Sequence, residues 1–146
     1  ASVAYLAAVL DFCSRRCVGW VLAEQLTETR VIEAFQHAIS ARQPPSDLIH
    51  HSDRGGQYAS HEYRAVLRRA AMRQSMSRAA NCYDNAVMES CFGTIKTELE
   101  MTEYHDSRQA RCEIASYLPY YNTQRRHSAL NYLSPAAFEA QLALSP

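Results

Sequence analysis

The chain has 146 residues, 47% of them apolar and 21% charged, and its 15 basic and 15 acidic residues give a formal net charge of zero at pH 7. This composition is typical of one folded domain and excludes a disordered chain. No apolar run approaches the roughly 18 residues of a membrane span, and the N-terminus lacks a signal-peptide pattern. We therefore expect one cytoplasmic domain without a membrane partner.

The five cysteines are odd in number and never spaced as paired zinc ligands, so we expect reduced thiols, several of them buried.

Local charge is more informative than the zero net charge. Two stretches are basic: one holds Arg64, Arg68, Arg69, Arg73 and Arg78, and the other holds Arg125, Arg126 and His127. Charge alone favours solvated helix faces for both stretches.

The first half of the chain predicts strands and a helix. Apolar runs at Tyr5 to Leu10 and Cys17 to Ala23 flank a polar segment and predict an antiparallel hairpin. Apolar residues spaced three and four apart between Val31 and Ile39 predict a helix, which Pro44-Pro45 prevents from continuing. A brief buried strand from Leu48 to His50 then leads into the segment HHSDRGGQY.

A second helix and a fourth strand follow this segment. Ser60 is predicted to be the N-cap of the helix. Its apolar stripe consists of Tyr63, Val66, Leu67, Ala70 and Ala71. Gln74 to Ser77 predicts a short strand, and the polar residues 78–84 predict a loop that Asn85 closes as a helix cap.

Three more helices complete the predicted elements. The first is strongly amphipathic and runs from Ala86 to about Met101, and the second runs from about Ser107 through Tyr117 and is ended or kinked by Pro119. Ser134-Pro135 predicts the start of a short terminal helix. Strands that alternate with helices indicate an α/β fold with a mixed sheet, in which sites gather at the carboxyl ends of strands.

The helix after Asn85 presents polar residues opposite an apolar face that is expected to be buried. The apolar face consists of Val87, Met88, Cys91, Phe92, Ile95 and Leu99. Glu89 lies in the first turn, where a carboxylate either complements the helix dipole or acts as a ligand. Gly93 costs roughly 1 kcal/mol relative to Ala and suggests close approach of another backbone. Lys96 follows on the same face and is able to contact a phosphate.

Asp53 and Glu89 are two carboxylates from different elements. Mg²⁺ prefers oxygen ligands and commonly takes only one or two protein carboxylates. In two-metal sites a pair of ions about 3.5 to 4 Å apart activates the attacking oxygen and stabilises the leaving one. Since Asp53 lies just past the end of the predicted third strand, where sites gather, this combination indicates metal-dependent phosphoryl transfer.

Thirty-five residues separate Asp53 from Glu89. This is the spacing of the last two members of the Asp, Asp, Glu triad in retroviral integrases and related bacterial transposases. Four blocks extend the likeness: YLAAVLDFCSRRCVGW, HSDRGGQYAS, NCYDNAVMESCFGTIKTEL and YNTQRRHSALNYLSPAAFE. They cover nearly the whole chain, in order, and resemble the transposases of insertion-sequence family three.

This resemblance implies a ribonuclease H-like fold, with a mixed sheet flanked by helices, and a reaction that cuts and joins DNA. Asp53 and Glu89 would hold two Mg²⁺ ions, or Mn²⁺ in their place, and Lys96 would lie at the DNA. Further residues with a DNA-contacting or site-supporting role would be Arg54, Gln57, Tyr58, Arg125, Arg126 and His127. For Arg125 and Arg126, a structural salt bridge is an equal alternative. The implied partners are transposon-end DNA, target DNA and further transposase copies, in the bacterial cytoplasm and on the nucleoid.

The first Asp of the triad is expected in a strand that precedes the first block. Residues 1–146 would then form an N-terminally incomplete catalytic core, with 120–146 as its C-terminal tail, and the fold would lack its first, central strand. Without that strand, backbone groups on both neighbouring strands would lose their partners. The alternative is that Asp11 completes the site.

Two other interpretations concern His50, His51 and the function itself. Adjacent residues on a strand point to opposite faces, so the two histidines are expected to be structural rather than to share a zinc ion. The chain could also be a truncated, non-catalytic remnant that binds DNA or assembles with an intact transposase. A third, weaker interpretation is a structure-selective nuclease on the same fold, which would cleave DNA without joining strands.

Overall fold

The computed structural model describes residues 3–53, 55–77, 85–99 and 106–145. The strands in these ranges are β1 (Tyr5–Leu10), β2 (Cys17–Ala23), β3 (Ile49–Ser52) and β4 (Arg73–Met76). The helices are α1 (Glu28–Arg42), α2 (Gly56–Ala59), α3 (His61–Arg69), α4 (Ala86–Glu98), α5 (Ser107–Thr123) and α6 (Pro135–Ala143). None of these helices is long and apolar enough to cross a membrane.

The four strands form two separate sheets of two strands each. β1 and β2 are antiparallel, as predicted, and Tyr5 lies opposite Ala23. β3 and β4 are parallel, with Ile49 opposite Arg73. The predicted α/β fold is confirmed, and within the described residues β1 and β3 each pair along one edge only.

The hairpin is the middle layer of three, because its side chains alternate between two apolar clusters. The cluster towards α4 and α5 contains Cys17, Leu22, Cys91, Ile95, Ala110, Ile114, Tyr117, Leu118 and Tyr121. The cluster towards α1 and α3 contains Ala7, Val21, Val31, Ile32, Ala34, Phe35, Tyr63 and Leu67. Gly19 lets α1 approach β2, since a Cβ there would lie 2.3 Å from the carbonyl oxygen of Ala34.

Serine caps begin two of the helices, as predicted. The hydroxyl of Ser60 accepts a hydrogen bond from the backbone N–H of Tyr63 at 3.1 Å, and α3 follows. The hydroxyl of Ser134 accepts one from the N–H of Ala137, also at 3.1 Å, with Pro135 as the first residue of α6. These local signals fix the helix starts because each satisfies an otherwise unpaired N–H group.

Glu139 holds α6 against the hairpin and α1. Its carboxylate accepts hydrogen bonds from the Ser14 hydroxyl at 2.9 Å and from the Arg42 guanidinium at 2.7 Å. Arg42 also pairs with the carboxylate of Asp11 at 3.2 Å. This network joins the β1–β2 turn, the end of α1 and the terminal helix.

Side chains from α5 bind the outer edge of β2. The Asn122 amide accepts a hydrogen bond from the N–H of Cys17 at 2.8 Å and donates one to its carbonyl at 2.9 Å. Arg111 donates to the carbonyl of Leu22 at 3.0 Å. The amide therefore meets both backbone groups of Cys17, as a neighbouring strand would.

The third strand and the fifth helix differ from the predictions. β3 begins at Ile49 instead of Leu48, and it is not a buried strand, since Ile49 is 57% exposed. α5 does not end near Pro119 but continues to Thr123. A Pro inside a helix costs about 3 kcal/mol, and the burial of Leu118 and Tyr121 on either side of it offsets this cost.

The apolar face of α4 is narrower than predicted. Cys91 and Ile95 are buried, whereas Val87, Met88 and Phe92 are only partly buried. α4 therefore packs against the core through about one fully buried residue per turn. The prediction that its whole apolar face is buried is wrong. The predicted loop at 78–84 and the predicted helix end at Met101 lie outside the described residues.

Candidate active site

Asp53 lies directly after β3, as predicted, and its side chain is exposed. Its Oδ1 atom accepts a hydrogen bond from the N–H of Gly55 at 2.7 Å, so a tight turn holds the carboxylate. Gly55 has a φ of −56° and needs no left-handed conformation. A Cβ at this position would lie 2.9 Å from Oδ1 of Asp53, so Gly55 keeps space beside the carboxylate.

Glu89 and Lys96 lie on the exposed side of α4. Glu89 is in the first turn and Lys96 follows two turns later, so both side chains leave the same face. Gly93 lies between them, and a Cβ there would meet no described atom within 4 Å. The expected approach of another backbone to Gly93 is thus not seen within the described residues.

Ser77 joins the strand that carries Asp53 to the helix that carries Glu89. Its backbone N–H donates to the carbonyl of Ser52 at 2.7 Å, and its hydroxyl lies 2.8 Å from Oδ1 of Asn85. Asn85 is the N-cap residue of α4, as predicted, but its side chain makes no capping hydrogen bond. The sequence offers no signal for this link beyond a Ser at the end of a strand.

The two histidines of β3 bind different partners. Nε2 of His50 lies 2.8 Å from the Tyr63 hydroxyl, and burial lowers the pKa of His50 to about 4. The ring of His51 lies between two hydroxyls, with Nδ1 3.0 Å from Ser75 and Nε2 3.0 Å from Ser77. Their separation agrees with the strand alternation that predicted structural roles.

Gln57 and Tyr58 adjoin the Asp53 turn from α2. Gln57 donates to the carbonyl of Leu26 at 3.3 Å. Tyr58 packs edge-to-face on Tyr63, with ring centroids 5.2 Å apart. Burial raises the pKa of the Tyr58 hydroxyl, and the negative charge of Asp53 raises it further. Tyr58 is therefore within electrostatic range of the Asp53 carboxylate, while Arg54 lies outside the described residues.

Glu98 ties α4 to the end of α5. Its carboxylate pairs with Nε of Arg125 at 2.6 Å and accepts a hydrogen bond from the Tyr117 hydroxyl at 2.9 Å. Glu98 is nine residues after Glu89, which places it on the opposite face of the helix. The sequence left two roles open for Arg125, DNA contact and a structural salt bridge. The structure shows the salt bridge. Sequence reasoning missed Glu98, although its helical phase places it on the side that faces the core.

Arg126 and His127 have contrasting environments. Arg126 is exposed, whereas His127 is 7% exposed and its Nε2 lies 3.1 Å from the carbonyl oxygen of Tyr121. Its ring stacks edge-to-face on Tyr121, with centroids 4.6 Å apart, and burial lowers its pKa. His127 thus supports the chain between α5 and α6.

The Asp11 carboxylate is taken up by its own turn and by α1. Oδ1 accepts hydrogen bonds from the N–H groups of Cys13 at 2.8 Å and Ser14 at 3.2 Å. Oδ2 lies 3.2 Å from the Arg42 guanidinium. These contacts give Asp11 a structural role in the hairpin.

Four of the cysteines are described, and all four are free thiols. Cys17 and Cys91 are buried, and Cys13 and Cys112 are exposed. Burial raises the pKa of the Cys17 thiol to about 12, which keeps it protonated and unreactive. Within the described residues, no group of three or more His, Cys, Asp or Glu side chains is arranged to hold a metal ion.

Two family models for an integrase core domain match residues 1–82 and 70–135. The chain belongs to the integrase core domain family. This integrase core domain is 42% identical over 137 residues to the transposase of insertion sequence IS904 from Lactococcus lactis, a match of 92% of the chain and 54% of the relative. It is also 42% identical over 137 residues to the transposase InsF of insertion sequence IS3A from Escherichia coli, covering 92% and 48%.

These relatives confirm the resemblance to transposases of insertion-sequence family three. A third relative, an uncharacterized 31 kDa protein of insertion element IS600 from Shigella sonnei, is 42% identical over 136 residues and is matched over 50% of its length. The integrase core domain spans about half the length of the curated relatives it matches.

Solved integrases share the fold of this chain. The catalytic core domain of HTLV-2 integrase, in complex with magnesium, has a TM-score of 0.66 and 16% identity over 91% of the chain and 82% of its own. The simian T-cell lymphotropic virus intasome gives a TM-score of 0.71 and 18% identity over 97% of the chain and 48% of its own. The integrase core domain therefore has the ribonuclease H-like fold that was predicted.

Proposed function

We propose that this integrase core domain is the catalytic portion of a DNA transposase, which cuts DNA at the ends of an insertion sequence and joins those ends to a target. The observation that carries the proposal is the pair of exposed carboxylates, Asp53 after β3 and Glu89 in the first turn of α4. They belong to a chain 42% identical to insertion-sequence transposases. The proposed setting is the bacterial cytoplasm, with DNA and further copies of the protein as partners.

Asp53 and Glu89 fit a divalent metal site by their chemistry. Both offer hard, exposed carboxylate oxygens of the kind that Mg²⁺ and Mn²⁺ bind. Bound ions would stabilise negative charge on the phosphate and on the attacking and leaving oxygens. The HTLV-2 integrase core of the same fold is in complex with magnesium, which supports this assignment.

The remaining residues are proposed to bind DNA or to support the site. Lys96 leaves the same face of α4 as Glu89, so its ammonium group is suited to a backbone phosphate. Arg126 is exposed and is assigned to DNA, together with Arg54, Gln57 and Tyr58 around the Asp53 turn. For Arg125 and His127, the ion pair and the burial favour the site-supporting role.

The surroundings of the two carboxylates suit a polymer more than a small molecule. Two hollows of about 360 and 350 Å³ lie against α5, and neither is lined by Asp53 or Glu89. Both carboxylates are instead exposed at the surface. DNA is able to lie across such a surface, whereas small-molecule sites are typically concave.

We further propose that the third carboxylate of the site comes from a strand preceding residue 1. Asp11 is a poor candidate, because its carboxylate binds its own turn and Arg42. In this proposal residues 1–146 are an N-terminally incomplete core with 120–146 as its tail, although α5 crosses the boundary at 120.

The test is strand transfer on a labelled transposon-end duplex with Mg²⁺ or Mn²⁺, using this chain and a version extended upstream. We expect joined products from the extended version only. Glu89→Gln should abolish them, because the amide loses the charge that binds the metal. The matched control is Glu62→Gln, which changes an exposed carboxylate in the first turn of α3.

Each alternative gives a different outcome. Activity in the unextended chain would show that Asp11 or another group completes the site. Cleavage without joining would support the nuclease, and DNA binding without cleavage by either version would support the remnant. Full activity of Glu89→Gln would overturn the assignment of the site.

A further inference from the structure

We propose that Ser77 and Asn85 are positioning residues, which fix where α4 and its Glu89 stand relative to Asp53. This inference rests on the proposed function and deepens it. The spacing of Asp53 and Glu89 in the sequence does not predict this role for either residue. A chain of hydrogen bonds begins at Ser52 on β3, passes through Ser77 and ends at Asn85, the N-cap residue of α4.

Ser77 is fixed on the strand side of this link. It is 3% exposed, and its N–H donates to the carbonyl of Ser52 at 2.7 Å. Its hydroxyl lies 3.2 Å from the same carbonyl. Ser52 directly precedes Asp53, so any displacement of Ser77 acts on the residue next to the carboxylate.

Asn85 receives the link on the helix side. Its Oδ1 lies 2.8 Å from the Ser77 hydroxyl. Asn85 is the N-cap residue of α4 and lies one turn before Glu89. Its position therefore determines where the first turn lies along the helix axis and in which direction the Glu89 side chain points. An Asn at this position commonly caps its own helix, yet here its side chain makes no capping bond. The side-chain oxygen is committed to Ser77.

His51 orients the Ser77 hydroxyl. Its ring lies 3.0 Å from Ser77 through Nε2 and 3.0 Å from Ser75 through Nδ1. In a neutral imidazole one nitrogen donates and the other accepts. With the proton on Nε2, His51 donates to the Ser77 hydroxyl. The Ser77 proton is then available to Asn85 at 2.8 Å, the nearer of its two described acceptors, the other being the Ser52 carbonyl at 3.2 Å. The chain then runs in one direction, from the strand of Asp53 to the helix of Glu89.

Such a link matters because a divalent ion requires its carboxylates at set positions. Removing a group that orients a metal ligand typically lowers metal affinity or activity 10- to 100-fold. α4 is otherwise anchored through Cys91, Ile95 and the Glu98–Arg125 ion pair, all of which lie after Glu89. Within the described residues, the Ser77–Asn85 hydrogen bond is the anchor of α4 that precedes Glu89.

The first experiment compares Ser77→Ala with Ser75→Ala. Both variants remove one hydroxyl from His51, but only the Ser77 hydroxyl also binds α4. Ser77→Ala keeps the N–H bond to Ser52 and so should keep the β3–β4 pairing. Mn²⁺ affinity is measured on the upstream-extended chain from the broadening of the Asp53 and Glu89 amide resonances, with the melting temperature without metal recorded in parallel.

We expect Ser77→Ala to weaken Mn²⁺ binding roughly 10-fold or more. It should also shift the resonances of the first turn of α4 in the absence of metal. Ser75→Ala should do neither, at a similar melting temperature. Asn85→Ala should reproduce the effect of Ser77→Ala, and the double variant should be no weaker than either single one, because both remove the same bond.

The same variants, assayed for strand transfer against Mg²⁺ concentration, separate the two proposals. Equal Mn²⁺ affinity in Ser77→Ala and Ser75→Ala, with Glu89→Gln inactive, would overturn the positioning role and leave the proposed function standing. Additive losses in the double variant would also overturn it. If Ser77→Ala lowers the melting temperature, the Mn²⁺ affinity of Asn85→Ala decides whether the positioning role holds, because Asn85 lies outside the β3–β4 pairing. Unchanged metal binding and activity in Glu89→Gln would mean that the proposed function itself fails.

Discussion

The surroundings of His50 show how burial sets the chemistry of a single side chain. Its ring lies against Phe35, with centroids 5.2 Å apart, and its Nε2 atom lies 2.8 Å from the Tyr63 hydroxyl. Burial lowers the pKa of His50 to about 4, because a charged ring would lose its hydration there. His50 is thus a neutral, partly buried residue three positions before an exposed carboxylate.

This environment predicts a pH-dependent stability. The unfolded chain binds a proton on His50 near pH 6.5 and the folded chain only near pH 4, so protonation favours unfolding between these values. The stabilisation is complete above pH 6.5 and is lost as the pH falls towards 4. We expect the free energy of unfolding in urea to drop by about 2 kcal/mol between pH 7 and pH 5 from this residue alone. The His50→Gln variant should lack this decrease between pH 7 and pH 5, whereas the His61→Gln variant, changed at an exposed histidine, should retain it. Equal pH dependence of the unfolding free energy in both variants would contradict the prediction.

Residues whose role depends on local chemistry were predictable from the sequence. Ser60 and Ser134 cap helices, and Asp53 follows its strand, because each role requires only neighbours in the chain. The partner of Arg125 was not predictable in the same way. Glu98 is 27 positions away and is brought there by the packing of α4 on α5, which no local pattern describes.

At the scale of elements, two glycines in regular structure have opposite environments. Gly19 lies in β2, where a Cβ would fall 2.3 Å from a carbonyl oxygen of α1. Gly93 lies in α4, where a Cβ would meet no described atom within 4 Å. Gly19 is required by the contact between β2 and α1, whereas Gly93 lowers the helix propensity of α4 and a Cβ there would contact no other element within the described residues.

Alanine substitution should therefore change stability in opposite directions. Gly19→Ala should lower the free energy of unfolding by about 3 kcal/mol or more, because the backbone of α1 must move. Gly93→Ala should raise it by about 1 kcal/mol through the lower backbone entropy of the unfolded chain. Urea unfolding of both variants tests this, and the prediction is wrong if the two substitutions have effects of the same sign.

The elements themselves were largely predictable, and their limits were not. Apolar periodicity and the serine caps gave the order of strands and helices, because these patterns depend on short stretches of sequence. Pro119 was misleading because the buried residues around it, Leu118 and Tyr121, keep α5 helical. The burial of α4 was also overestimated, since periodicity identifies an apolar face but not how much of it a neighbour covers.

At the scale of the whole molecule, the two small sheets stand apart. β1 pairs only with β2, and β3 only with β4, within the described residues. Tyr5 and Ile49, the first residues of β1 and β3, are 46% and 57% exposed, which is unusual for apolar residues in the strands of an α/β fold. A strand between β1 and β3 would complete a single mixed sheet, in agreement with the proposed incomplete core.

Extending the chain upstream by one strand should therefore stabilise it. Each new backbone hydrogen bond contributes about 1 kcal/mol, so the unfolding midpoint should rise and the amides of β1 and β3 should become protected from hydrogen exchange. The control is an extension of equal length with Pro at its centre, which is unable to pair fully. Equal protection with both extensions, or with neither, would contradict a central strand.

Asn122 closes the opposite side of the hairpin. Its amide binds both backbone groups of Cys17, so at that position another chain finds no free template for pairing. The two edges of the hairpin therefore differ: backbone groups on the outer edge are bonded to side chains of α5, whereas the inner edge of β1 has no strand partner within the described residues. At Cys17 and Leu22, side chains of α5 therefore oppose the edge-to-edge aggregation to which short hairpins are prone.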